Sequence, residues 1–268
     1  MGKTKLAIAL LSGLYMCCGP GETVAASPNC SKPFTLALHD HGLLYSADTD
    51  TGIDKDFAEE LIRRSGCKIV VNVMPRARIW QLLESGALDF SLSGITNPER
   101  NKFASFAWYI NNKYYLLVRK DAGVRNISDF EHNDRLQLGV IRSFRYSETA
   151  NRLVDTLQAA GRVSQSAGLG PLYQVLTANR IQAMIIEPFD YPALDEKRIR
   201  EISTIIEFND PPVLHGMIIS KSALSPEEQE KWRGLVREMR ADGSVRRIFE
   251  KYFQPGLAAA LTDFDDPP

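Results

Sequence analysis

Residues 88–106, LDFSLSGITNPERNKFASF, carry the clearest chemical signal in the chain. An apolar stretch ends in Ser91, Ser93 and Gly94, and Asn97-Pro98-Glu99-Arg100 follows after a short loop. Asparagine caps helices and proline suits their first turn, so these four residues read as a helix start. Unpaired N–H groups in such a turn favour an anion. Arg100 adds a planar guanidinium that can grip a carboxylate through two bonds. The same spacing would also suit a surface arginine on a short helix. A charge of opposite sign ends another apolar run, where Ala183-Met184-Ile185-Ile186 leads into Glu187 and Pro188. A charged residue at the carboxyl end of a strand faces the crevice of an open α/β sheet. There Glu187 would meet a cationic group; the alternative is a structural pair with Arg145 or Arg180.

Weaker signals surround these two. Arg76 and Arg78 fall in a Met-Pro-x-x-Arg stretch that opens a helix, and Arg78 is a candidate for lining a cleft. His39-Asp40-His41 could place two imidazoles on one side of a strand end. His132 and His215 complete the histidines without a ligand-like spacing, so no metal is expected. Asp54 and Asp56, at a helix start, suit capping and the helix dipole. Phosphate loops, Gly-x-Ser-x-Gly elbows and cysteine–histidine pairs suited to nucleophilic catalysis do not occur, and no cofactor is expected.

The elements that must position these residues alternate strand and helix, which argues for α/β with mostly parallel sheets. Strands are expected at residues 34–39, 68–74, 90–93 and 114–119, with helices at 54–65 and 78–85. The grammar then repeats: strands at 136–141, 183–187 and 202–208, helices at 147–160 and 171–178, and a returning strand at 217–220. Ser225-Pro226-Glu227-Glu228 is a capping box with proline at its first turn. Trp232, Leu235, Val236 and Met239 follow as an apolar stripe, and Val245, Ile248, Phe249 and Tyr252 make another. The tail after Pro255 reads as frayed.

The 268 residues, 44% hydrophobic and 24% charged, allow one large domain or two small ones. A net charge of −1 gives no electrostatic case for nucleic acid or anionic membrane. Lys3 and Lys5 precede an apolar run over residues 6–18, too short to span a bilayer comfortably. Val24-Ala25-Ala26 suits a signal peptidase, so residues 1–26 read as a cleaved export signal. Lipidation at Cys17 or Cys18 is disfavoured by Leu14-Tyr15-Met16 before them. No later segment reads as a membrane span. Cleavage leaves Cys30 and Cys67, and two cysteines in an exported chain read as one disulfide. They lie at the starts of two strands that can be neighbours in a parallel unit.

Several signposts recur in a recognisable order. They are Gly52-Ile53-Asp54-Lys55-Asp56, Gly86-Ala87-Leu88-Asp89, Gly94-Ile95-Thr96-Asn97-Pro98-Glu99-Arg100, Gly139-Val140, Asn179-Arg180-Ile181-Gln182-Ala183 and Ala241-Asp242-Gly243. Together they resemble the polar-amino-acid family of periplasmic solute-binding proteins, family 3, over about residues 34–253. The resemblance implies a two-lobed, type II-like periplasmic-binding-protein fold with two chain crossovers. Lobe one would take residues 31–120 and 215–253, lobe two residues 121–214, and 254–268 would form a tail. It implies that Arg100 binds an α-carboxylate, helped by Ser93, Gly94 and Thr96. Tyr45 would lie against the ligand, Ser143 and Phe144 would face the cleft from the second lobe, and Glu187 would meet the α-amino group. The loop before Arg100 is one residue shorter than the commoner form, and glutamate replaces the usual aspartate at 187. The partners implied are a small polar ligand and an ABC permease, for a periplasmic monomer. Two other functions fit the same fold: a periplasmic cyclohexadienyl-type dehydratase with Glu187 as its acid, and an accessory or receptor protein without transport.

Overall fold

The computed structural model describes Gly2 and residues 27–265. The expected signal over residues 1–26 therefore lies, Gly2 apart, outside the described residues. Among those described, the strands form two five-stranded mixed sheets.

The first sheet begins with β1 (Phe34–Leu38), β2 (Ile69–Val73) and β3 (Phe90–Gly94), with β1 parallel to both others. The helices between them are α1 (Ile53–Ser65) and α2 (Arg76–Ser85), each ended by a left-handed glycine, Gly66 and Gly86. Glycine reaches that conformation without a Cβ clash, and its N–H bonds back to the last turn. A single turn, α3 (Arg100–Phe103), leads into β4 (Ala104–Asn112), the sheet's edge. The chain then crosses to the second sheet.

That sheet contains β5 (Tyr115–Arg119), β6 (Leu138–Ile141), β7 (Val163–Ser166), β8 (Ala183–Ile186) and β9 (Ser203–Glu207), in the order β7-β6-β8-β5-β9. Helices α4 (Ile127–Glu131), α5 (Glu148–Ala159), α6 (Leu169–Thr177), α7 (Tyr191–Glu196) and α8 (Ile199–Ile202) connect its strands. The chain returns through residues 208–212 to β10 (Val213–Ser220), which lies antiparallel between β3 and β4. Helices α9 (Pro226–Ala241), α10 (Ser244–Phe249) and α11 (Pro255–Thr262) close the first lobe. Trp232 of α9 is fully buried, with its ring 5.1 Å from Phe34 and 4.7 Å from Phe90.

The structure differs from the sequence expectation at several places, and its sheets are mixed where mostly parallel ones were expected. Tyr115–Arg119, expected in lobe one, pairs antiparallel with β8 and β9 in the second sheet. The first crossover thus falls at residues 113–114, before this strand. The first sheet's edge is β4, a strand that the sequence did not indicate, its mixed run ASFAWYINN giving no clear signal. The tail expected to fray folds as α11 with Ala258 and Leu261 buried in the core. Pro255 opens that helix, its fixed φ suited to the first turn.

Cys30 and Cys67 form a disulfide with Cα atoms 4.9 Å apart, as the sequence indicated. The pairing of Phe34 with Ile69 places the strand beginnings side by side. Across a separation of 37 residues, such a link contributes about 3–4 kcal/mol in the chain-entropy model.

Candidate functional site

The carboxyl ends of β1, β3, β6 and β8 converge between the lobes, the place where open α/β sheets bind ligands. Arg100 lies there, 8% exposed. Asn97 caps the turn, its side-chain oxygen accepting from the Arg100 N–H at 2.8 Å. The guanidinium lies 3.9 Å from the Trp80 ring centroid, a cation–π geometry. It donates to the Ile95 carbonyl at 2.9 Å and, across the cleft, to the Ser143 carbonyl at 2.9 Å. Ser143 is held in the left-handed region, φ 65°. Among the described residues, no carboxylate pairs with Arg100.

Arg76, 6% exposed, stands beside it. It donates to the Leu92 and Ser93 carbonyls at 3.0 and 3.1 Å. Burial lowers Arg76 to about 10, against the attraction of Asp54. Burial, then the charges of Arg76 and Arg145, lower Arg100 to about 9. Both guanidiniums stay charged at neutral pH; burial is the main cause of the Arg100 depression, and the positive charges of Arg76 and Arg145 add to it. Arg145 lines the same cleft from the second lobe and reaches Asp155 only at 3.7 Å.

Glu187 lines the cleft but is engaged. One carboxylate oxygen accepts from His41 Nε2 at 2.7 Å and the other takes a short bond from Asn112 Nδ2. His41 and Asn112 belong to the first lobe's strand ends, so the pair spans the cleft. The salt-bridge alternative with Arg145 or Arg180 is not what forms. Burial alone would raise Glu187, yet the bond and charge of His41, the charge of His215 and the Asn112 bond together lower it. Burial would lower His41, and the bond and charge of Glu187 outweigh it and raise the imidazole.

This pair fixes a pH dependence. The His41 contribution is complete below its ordinary 6.5 and is lost as pH rises through its higher folded value. The Glu187 contribution is complete above 4.5 and is lost as pH falls through its lower folded value. Thermal unfolding of wild type and His41→Gln should therefore differ more at about pH 6 than at about pH 9. A difference that stays constant with pH would mean that the pair is not ionised in the fold.

The remaining sequence candidates divide. Ser93 and Gly94 line the cleft. The Ser93 hydroxyl is 2.6 Å from Asp54 and 3.0 Å from the Tyr109 hydroxyl, so it serves the first lobe's interior. A Cβ on Gly94 would lie 2.3 Å from Ile218, so packing demands glycine there. Ser143 and Phe144 line the cleft from the second lobe. Thr96 is exposed and makes a short bond to Asn101, away from the lining. Tyr45 is buried in the first lobe's core and donates to Asp50 at 3.1 Å; its neighbour Leu44 lines the cleft instead. Arg78 is exposed because α2 starts at Arg76, so Arg76, Ile79, Trp80 and Leu83 form the buried face.

Taken singly, Trp80, Asn112 and Tyr114 carry no mark in the sequence, and Arg76, His41 and His215 are visible there without being assigned to a ligand cleft. The Arg76–Trp80 spacing of one helical turn was a usable signal. Phe144 fills the middle of the cleft, with its ring 4.9 Å from His41, 5.6 Å from His39 and 5.6 Å from the Arg76 guanidinium. The free cavity is only about 20 Å³, little more than one water requires. A ligand must displace Phe144 or part the lobes. Among the described residues no cluster of three His, Cys, Asp or Glu could hold a metal.

Two α/β lobes, two crossovers and a polar cleft lined from both sides define a binding protein that closes on its ligand. The model of the bacterial extracellular solute-binding proteins, family 3, matches residues 29–255, and the chain belongs to that family. Its fold is the type II periplasmic-binding-protein fold. The arginine-binding extracellular protein ArtP of Bacillus subtilis (strain 168) is 24% identical over 211 residues, covering 77% of this chain and 79% of that protein. An ancestral arginine-binding protein bound to arginine superposes with a TM-score of 0.70 at 20% identity, covering 84% of this chain and 100% of its own. EhuB in complex with hydroxyectoine gives 0.70 at 16% identity, covering 86% and 92%. At these identities the structural likeness speaks for the fold. No described helix is long and apolar enough to cross a membrane.

Proposed function

We propose that this solute-binding protein captures a small carboxylate-bearing solute, an amino acid or related acid, and presents it to an ABC permease. It works in the periplasm as a monomer, exported by a cleaved signal rather than held by a lipid. Arg100 carries the reading: a buried guanidinium in the cleft, bonded to carbonyls of both lobes, with no carboxylate partner among the described residues. A desolvated charge without a counter-ion is costly, and a ligand carboxylate would relieve it. Binding is favoured over dehydratase chemistry because Glu187 is held as a carboxylate by His41 and Asn112 and has no proton to give.

A thermal-shift screen of amino acids and small carboxylates tests this. A true ligand at about a hundred times its Kd adds about 2.7 kcal/mol to the folded state. Absence of any shift across both classes would sink the reading. Turnover of prephenate or arogenate would replace it with the enzyme.

A further inference from the structure

The cleft's charges are unevenly matched, and this bears on what kind of acid it takes. Arg76 and Arg100 are buried, their bonds go to main-chain carbonyls, and neither has an ion-pair partner among the described residues. Each guanidinium has five N–H donors, so each keeps donors for a ligand. Arg145 adds a third positive group from the opposite lobe, loosely held by Asp155. Glu187 is the one carboxylate lining this cavity, and both its oxygens are taken. Two other acids lie behind the lining: Asp54, bonded to Ser93 and Tyr109, and Asp190, which accepts from the Glu187 N–H and the Tyr173 hydroxyl.

An α-amino acid needs an acceptor for its ammonium. Here that acceptor is already spent on His41, which itself brings a cationic tendency to the same wall. An ammonium entering the cavity would have to break a buried, doubly bonded carboxylate pair and stand among guanidiniums. A second carboxylate would meet donors instead.

We infer that the cleft selects a small dianionic carboxylate without an amino group, such as a four- or five-carbon dicarboxylic or oxo-dicarboxylic acid, held by Arg100 and Arg76 at one end and Arg145 at the other. The inference rests on the solute-binding reading and narrows its ligand class. Phe144 would swing from between Arg76 and His41 to admit the acid, since its ring occupies that space. The expectation that Glu187 meets a ligand ammonium gives way, in this reading, to a latch between the lobes.

Calorimetry on the mature protein tests the inference with defined probes: succinate, glutarate, 2-oxoglutarate, butyrate, L-glutamate, L-alanine and L-arginine. At least one of the three amine-free diacids should bind, at least about tenfold more tightly than butyrate or L-glutamate. Arg145→Gln, an exposed change that leaves the buried guanidiniums intact, should weaken that diacid by about tenfold or more and leave butyrate within about twofold. Tighter binding of L-arginine, L-alanine or L-glutamate than of any diacid would overturn the dianion inference while upholding the amino-acid form of solute binding. Failure of all three diacids to bind would also overturn it. The thermal-shift screen then decides separately whether the protein binds solutes of other classes.

Discussion

Phe189→Ala is expected to lower stability by about 3–5 kcal/mol, the usual cost of deleting a buried phenyl ring. The residue belongs to the turn Pro188–Asp190 that directly follows β8 of the second lobe, yet its ring is fully buried in the first lobe's core. It lies 6.3 Å from Phe249 and 5.8 Å from Phe253 between ring centroids. Its carbonyl accepts from the Leu43 N–H at 2.9 Å. Gly42 is in the left-handed region, and a Cβ there would lie 2.5 Å from that same carbonyl. The lobes cannot separate here without withdrawing the ring or straining the short link from Ile186. The truncation should therefore both destabilise the fold and loosen the closed arrangement. Urea unfolding reads the first effect and small-angle scattering the second, as a larger radius of gyration. Leu157→Ala, in the second lobe's own core, is the control: it should lower stability by a similar order without expanding the molecule. A loss below about 1 kcal/mol with unchanged radius would mean that Phe189 does not tie the lobes.

What could be read from the sequence was what is local. Asn97-Pro98 fixes a cap and a first turn, so Arg100 is aimed by its own neighbours and lines the cleft. The alternation of strands and helices is local too, and it yielded α/β architecture and the Cys30–Cys67 link. Sheet membership is not local. The run YLLVR in β5 announces burial on both faces, but its partners β8 and β9 lie far along the chain. Nothing in the run says which sheet supplies them. Helix phase was readable and misjudged: starting α2 at Arg78 hid the buried spacing of Arg76, Ile79, Trp80 and Leu83. Glu187 shows the firmest limit. Its position at a strand end was legible, whereas its partners His41 and Asn112 are 146 and 75 residues away and come from the other lobe. A carboxylate's role depends on what already holds its oxygens, and that is decided by closure.

Arg100→Ala should weaken binding of the carboxylate ligand by about 2–5 kcal/mol, because the ligand's charge would be buried opposite nothing. The same change should alter the stability of the protein alone by no more than about 1 kcal/mol. Two opposing effects set that small value. The variant loses two bonds to carbonyls and the cation–π contact with Trp80. It also removes a desolvated charge that faces Arg76 and Arg145 without a counter-ion. Groups committed to a ligand show this separation, since their strain is relieved only on binding. Arg100→Lys keeps the charge but not the planar fork, so it should recover part of the affinity and remain weaker than arginine. Calorimetry gives the affinity, and unfolding curves without and with ligand give the two stabilities. An affinity within about twofold of wild type would place the anchor elsewhere, with Arg76 the next guanidinium to test. A loss of several kcal/mol in the protein alone, matched by no selective loss of ligand affinity, would make Arg100 a strut between the lobes through the Ser143 carbonyl.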